Sequence, residues 1–396
     1  MSTTSTTTRS ALPPKPDEIA AIAARIGAEI AAANAASVDT EARFPTEVFN
    51  ALREERLLSA MIPTEFGGAG ARLSDITLAV EALSEHCASA GMIYAMHQIQ
   101  VAALVRHSSN AWQQDFLREV AARELLLGSA TTEKGIGGDV RSSSCAVETT
   151  GDRFHLVKNA SVISYGLQSD AIMVTARRDP DSPPNDQVFV VVPVTGATLE
   201  QDSDWNALGF RGTCSDGFVL TADGGVDQIM DEGYDVISAK TMLPTSHVMW
   251  SSVWLGIANS AVDTAHRFVR KNARKNPGAT PPAALRLAEL VGQHEEFRSL
   301  VRTRVADYQA ALHDDAELAS MGFALRMNSL KVSSSTVVVE IVAKALSVCG
   351  FAGYQEGTPF SLGRHLRDAH GAALMVNNDR LLGANAQMLL IHKGER

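Results

Sequence analysis

Ile19, Ile22, Ile26 and Ile30 recur at three- to four-residue spacing among many alanines, so the chain past residue 16 opens on an amphipathic helix. Phe44-Pro45-Thr46 restarts a helix, and Ile62-Pro63 with Gly67, Gly68 and Gly70 interrupts it. Ser74 is a candidate cap for a helix whose apolar face carries Ile76, Val80 and Leu83, and a further helix is expected from about 90 to 106. Near residue 129 the period changes. Segments 143–149, 153–158, 170–177, 188–193 and 216–221 are short, β-branched or alternating, and separated by Gly, Asp and Pro. After about residue 237 long helical patterns return: 242–274, 282–312, 316–348, and at least one more within 359–393. The expected fold class is α+β. It comprises a tail at 1–16, an N-terminal helical domain at 17–128, a central β-barrel-like domain at 129–237 and a C-terminal helical bundle at 238–396.

Composition narrows the function without naming it. A formal charge of −10 argues against a nucleic-acid partner, which wants a basic footprint. Cys87, Cys145, Cys214 and Cys349 are scattered, with no metal-ligand spacing, and read as reduced thiols of a cytoplasmic protein with no metal. No uninterrupted apolar run reaches the ~18 residues of a membrane span. The Ser/Thr-rich opening, with prolines at 13, 14 and 16, reads as a disordered tail and not as a targeting signal.

Three stretches carry candidate chemistry. Gly128 to Val140 follows an apolar run and holds hydroxyls at Ser129, Thr131 and Thr132 beside Gly135, Gly137 and Gly138. Such a turn suits a flat heteroaromatic ring with a phosphate, and a plain surface turn has the same composition. Asn159 to Gly166 ends a strand with Ser164 two residues before a glycine. Val348 to Tyr354 places Gly350 and Gly353 between helices, and Arg367-Asp368 further on reads as a structural ion pair. Arg267, Arg270, Lys271 and Arg274 share a helix face, as a diphosphate site or a solvated basic face would.

In order and spacing these stretches resemble the acyl-CoA dehydrogenase family of flavoproteins from about residue 17 onward. Thr132 to Asp139 is similar to its TEPGAGSD loop, Val162-Ile163-Ser164 to its W-I-T/S strand, and Gly350 to Tyr354 with Arg367-Asp368-Ala369 to its GGxGY and RDA signature. The resemblance implies FAD between the β domain and the bundle, in a homodimer or homotetramer. It implies Thr132 at the flavin pyrimidine edge, Ser164 near N5, and Arg270 reaching a neighbouring subunit's FAD. Thr131, Gly137, Gly138, Val162, Gly350 and Gly353 complete the implied cofactor site. The aromatic-glycine pair expected after Arg270 is replaced by Arg274-Lys275, and Ser347 stands near the position of a missing glutamine.

The reaction side departs further. The family's glutamate, nine residues after the RDA arginine, is Val376 here, and the alternative glutamate position falls at Ser246-His247. Gly138 replaces a serine that commonly touches the thioester arm. Candidate substitutes are Asp379, one helical turn beyond Val376, together with His247 and His97; His370 lies close by. Asp379 is equally an ion-pair partner for Arg380 or Arg367, and each histidine is equally a packed core residue. The expectation is an oxidoreductase acting on CH–CH groups of an acyl thioester, on coenzyme A or a carrier protein, with a flavoprotein or O2 as electron acceptor. The alternatives are a monooxygenase of the same fold that takes reduced flavin, FAD or FMN, as cosubstrate, with His97 resembling that branch's histidine, and a catalytically degenerate flavin scaffold.

Overall fold

The computed structural model describes residues 12–136, 140–275 and 277–392. Its first helical unit contains α1 (Ile19–Ile26) and α2 (Ala32–Thr40), joined through a π turn at Gly27–Ala31. It continues with α3 (Thr46–Glu54), α4 (Leu73–Ser84), α5 (Ala88–His107) and α6 (Ala111–Arg123). The cap of α4 differs from expectation. The helix begins at Leu73, and the Asp75 carboxylate reaches back to accept the Arg72 N–H at 3.1 Å, so Ser74 lies inside the first turn.

Seven strands follow: β1 (Leu127–Ala130), β2 (Glu148–Thr150), β3 (Arg153–Ser164), β4 (Ala171–Arg177), β5 (Gln187–Pro193), β6 (Ala197–Ser203) and β7 (Ser215–Gly225). They form two sheets, in the orders β1-β4-β5 and β2-β3-β7-β6. Among these strands β1 and β4 pair in parallel, and the other pairings are antiparallel. In β5, Val188, Val190 and Val192 pack into a core shared with the second sheet, while Phe189 and Val191 face the helical core. A sheet buried on both faces needs continuous apolar strands, which is why 188–193 lacks alternation. Most of the segment 143–149 is irregular, and the exposed, polar β6 carried no strand pattern to read.

The chain then returns to helix in α7 (Tyr234–Ile237), α8 (Leu243–Ala273), α9 (Ala283–Ala311), α10 (Asp315–Leu318), α11 (Met321–Cys349), α12 (Phe351–Tyr354), α13 (Gly363–His370) and α14 (Asn378–Leu389). By length and hydropathy alone, Pro16–Thr40 and Met321–Cys349 could cross a membrane. Here both lay apolar faces on the core, Ile19, Ile26 and Val38 from the first and Val338, Ile341 and Val342 from the second.

The helix α13 ties the three regions together. Arg367 bonds Asp39 of α2 and Glu356, Arg364 donates to the His86 carbonyl at 3.1 Å, and Asp368 accepts the Phe210 N–H at 2.6 Å. The ion pair expected within Arg367-Asp368 is therefore replaced by two separate contacts, because adjacent helical residues point to different faces. Burial pushes the Asp368 carboxyl up to about 6. A Cβ on Gly209 would lie 2.3 Å from the Arg367 carbonyl oxygen, so the 205–215 loop approaches α13 as only glycine permits.

Candidate active site

A cavity of about 560 Å³ lies where these regions meet. The helix α5 contributes Met92, Met96, Ile99 and Gln100; the β domain contributes Ser129, Thr131, Thr132, Val162 and Ser164. Trp205 and Phe210 come from the 205–215 loop, His247 and Trp250 from α8, and Arg367, His370, Leu374, Met375 and Val376 from the far wall. The lining is largely apolar, with a few convergent polar groups, as ligand pockets are.

The hydroxyl side is anchored from below. Glu133, next to Thr132, is buried and accepts from Ser143 Oγ (2.9 Å), Ser144 N–H (3.0 Å), Cys145 N–H (2.8 Å) and Lys158 Nζ (3.2 Å). Lys158 is fully buried and also donates to the Thr175 carbonyl at 2.7 Å. Burial alone would raise the Glu133 carboxyl, but the Lys158 charge and these hydrogen bonds outweigh it and hold the group below its ordinary range. Above this anchor, Thr132 Oγ1 donates to the Val162 carbonyl at 3.3 Å. Ser164, Ser215 and Thr213 form a hydroxyl chain with links of 2.8 Å.

The expected catalytic residues separate. His97 is fully buried and does not line the cavity. Its Nε2–H donates to the Leu58 carbonyl at 2.7 Å, and its Nδ1 accepts the Leu127 N–H at 3.0 Å. Both ring nitrogens are thus spent on backbone, and burial depresses the ring to about 4. His97 is a structural brace between α5, the 57–59 turn and β1. Asp379 is exposed and also lies outside the lining. The helical spacing that put it on the Val376 face fails because Val376 has φ 46° and α14 starts only at Asn378, with Asn377 Oδ1 capping the Asp379 N–H at 2.8 Å. A β-branched residue at positive φ is an outlier, a strain of roughly 1–3 kcal/mol.

His247 does line the cavity. Only its Nδ1–H can satisfy the Met327 carbonyl at 3.1 Å, which leaves Nε2 as an acceptor. Burial, with the Lys331 charge second, lowers its ring to about 3, so it is neutral at ordinary pH. His370 is exposed and lines the same cavity. No Asp or Glu is among the described lining residues.

Of the expected cofactor residues, Thr131, Thr132, Val162 and Ser164 line the cavity. Gly137 and Gly138 lie outside the described residues. Arg270 is exposed on α8, and Gly350, with φ 58°, joins Phe351 and Tyr354 at a separate surface hollow. Gly353 is buried beneath it, where a Cβ would meet the Cys349 Cβ at 2.8 Å. None of these three lines the cavity. The sequence pattern does not single out Gln100 or Lys331. Gln100 sits on a helix buried on nearly every side, where no polar stripe marks a face, and nothing in the neighbourhood of Lys331 along the chain separates it from a surface lysine.

Two buried polar atoms on lining residues, Gln100 Oε1 and Trp250 Nε1, have no partner. One accepts and one donates, and with the hydroxyls of Thr131, Thr132 and Ser164 they fit a flat heterocycle that carries both functions at its edge, as a flavin does. The fold and this cavity define a flavoprotein-type oxidoreductase.

The chain belongs to the acyl-CoA dehydrogenase family. The family's N-terminal domain model matches residues 14–124 and its C-terminal domain model matches 231–375. A probable acyl-CoA dehydrogenase of Mycobacterium tuberculosis is 26% identical over 371 residues, covering 90% of each chain. Among solved structures, FMN-bound TdsC from a Paenibacillus superposes with a TM-score of 0.84 at 18% identity, covering 96% of this chain and 98% of that one. Butyryl-CoA dehydrogenase of Megasphaera elsdenii does so with a TM-score of 0.81 at 19% identity, covering 95% and 98%.

Proposed function

We propose that this chain is a flavin-dependent monooxygenase that acts with reduced flavin and O2 on a compact, largely apolar substrate of aromatic size. The observation that carries the reading is the absence of any carboxylate among the described residues lining the cavity. Dehydrogenation of a thioester needs a base at the α-carbon, commonly a carboxylate, and the position expected to supply it is Val376. TdsC, described as dibenzothiophene monooxygenase, has the same fold.

Reduced flavin, when bound, supplies the electrons that activate O2. Thr131, Thr132 and Ser164 would hold its ring edge, while exposed Arg270 and Gly350 would serve the diphosphate tail of FAD across a subunit contact. Met92, Met96, Ile99 and Trp250 exclude water around the substrate. His247 offers Nε2 as an acceptor for a substrate N–H or O–H, and His370 adds a second imidazole to the lining.

A second reading is thioester dehydrogenation, favoured by sequence relatives named acyl-CoA dehydrogenases; His370 would then take the α-proton. The test supplies FAD or FMN, NADH, a separate flavin reductase and O2 to a panel of aromatic and heteroaromatic compounds and, in parallel, to acyl-CoA thioesters. A product with one added oxygen is expected. A product with two hydrogens lost from an acyl thioester would overturn the reading.

A further inference from the structure

Behind the cavity wall stands an ammonium that meets no carboxylate among the described residues. Lys331 of α11 is fully buried, and its Nζ donates to the Val376 carbonyl and to Asn378 Oδ1, both at 2.7 Å. The Trp254 ring of α8 lies 5.9 Å from the same atom. Asn378 exchanges hydrogen bonds with Ser335 Oγ, one helical turn further along α11. Val376 lines the cavity in its left-handed conformation. The backbone of the preceding residues is bonded through local turns, with Leu374 and Met375 N–H both donating to the Gly371 carbonyl, while Ala372 and Met375 pack their side chains on the helical core. The directed polar links from α11 to this wall are those of Lys331 and of Ser335 to Val376 and Asn378.

We propose that Lys331 is a positioning residue of the cavity. It holds Val376 in the strained left-handed form and so fixes the wall formed by Leu374, Met375 and Val376 against whatever occupies the space beside Thr132 and Ser164. A buried charge without a counter-ion is costly, and a methionine would fill the same volume at less cost. What the ammonium adds is two directed donors on one rigid helix, aimed at the turn that carries the strain. The inference rests on the flavin reading of the cavity and is independent of whether oxygenation or dehydrogenation follows.

The test compares wild type, Lys331→Met, and Lys331→Met combined with Val376→Gly, since glycine adopts positive φ without strain. Hydrogen exchange of the 374–378 amides is measured alongside titration with FAD and FMN, each oxidised and, anaerobically, reduced. In Lys331→Met these amides are expected to exchange faster and flavin to bind about tenfold more weakly, the scale of one lost charged hydrogen bond. The glycine in the double variant restores part of both. Unchanged exchange in Lys331→Met, or a double variant no better than the single one, would overturn the proposal. If wild type binds neither flavin, the flavin reading fails, while the exchange comparison still decides the role of Lys331.

Discussion

Two fully buried lysines hold opposite sides of the same cavity, and they differ in one respect. Lys158, beneath the hydroxyl side, faces the Glu133 carboxylate, whereas Lys331, behind the far wall, faces a carbonyl, an amide and the Trp254 ring, with no carboxylate among the described residues. The first is a closed electrostatic unit in which every donor and acceptor has a partner, so it serves rigidity. The second leaves its charge uncompensated and grips a strained turn. One side of the cavity is built to be permanent and the other is held under load.

The largest expected effect breaks the paired side. Lys158→Met strands a buried carboxylate and should cost about 3–5 kcal/mol of stability. Chemical denaturation checks this, and flavin affinity should fall with it. Lys331→Met should leave stability at neutral pH unchanged or raised, since a buried uncompensated charge is removed. Equal losses in the two variants would erase the contrast.

The same contrast predicts a pH signature. Burial lowers Lys331 to about 8 from 10.5, so the unfolded chain binds more protons between those values. Its contribution to stability therefore rises with pH from about 8 to 10.5. Equilibrium unfolding across that window should show the rise in wild type and its loss in Lys331→Met. On the acid side, His97 at about 4 and His247 and His365 at about 3 are neutral when folded, against 6.5 unfolded. Stability should fall as pH drops below 6.5. Asp368, raised from 3.8 to about 6, works the other way, because its folded form binds the proton more readily.

Two smaller effects test where the chemistry is not. His97→Phe leaves the buried Leu127 N–H without its acceptor and should cost roughly 1–3 kcal/mol, with the remaining turnover keeping its pH profile. A changed profile would return His97 to the active site. Asp379→Asn, on an exposed first turn, should shift stability by less than about 0.5 kcal/mol. Its activity should match wild type.

Much of this molecule was legible in the residues. Periodicity separated helical, β and helical regions, and the loop at Thr131–Thr132 and the strand end at Val162–Ser164 point to one cavity because both lie at strand ends of the β domain. What could not be read depended on packing between distant segments. His97 and His247 sit on similar apolar helices, and only tertiary contacts show that one spends both nitrogens on backbone while the other faces the cavity. Asp379 is not on the Val376 face because the chain turns left-handed at Val376, which helical spacing along the sequence does not reveal. Lys331 carried no local mark at all, since its partners lie 45 and 47 residues away.

The most direct test of the oxygenase reading is an anaerobic titration of the flavin-loaded protein with acyl-CoA and carrier-protein thioesters, following the visible flavin absorption. The band is expected to stay intact for every chain length, because no described lining carboxylate takes the α-proton. Bleaching, with loss of two hydrogens from the thioester, would contradict this and restore the dehydrogenase reading.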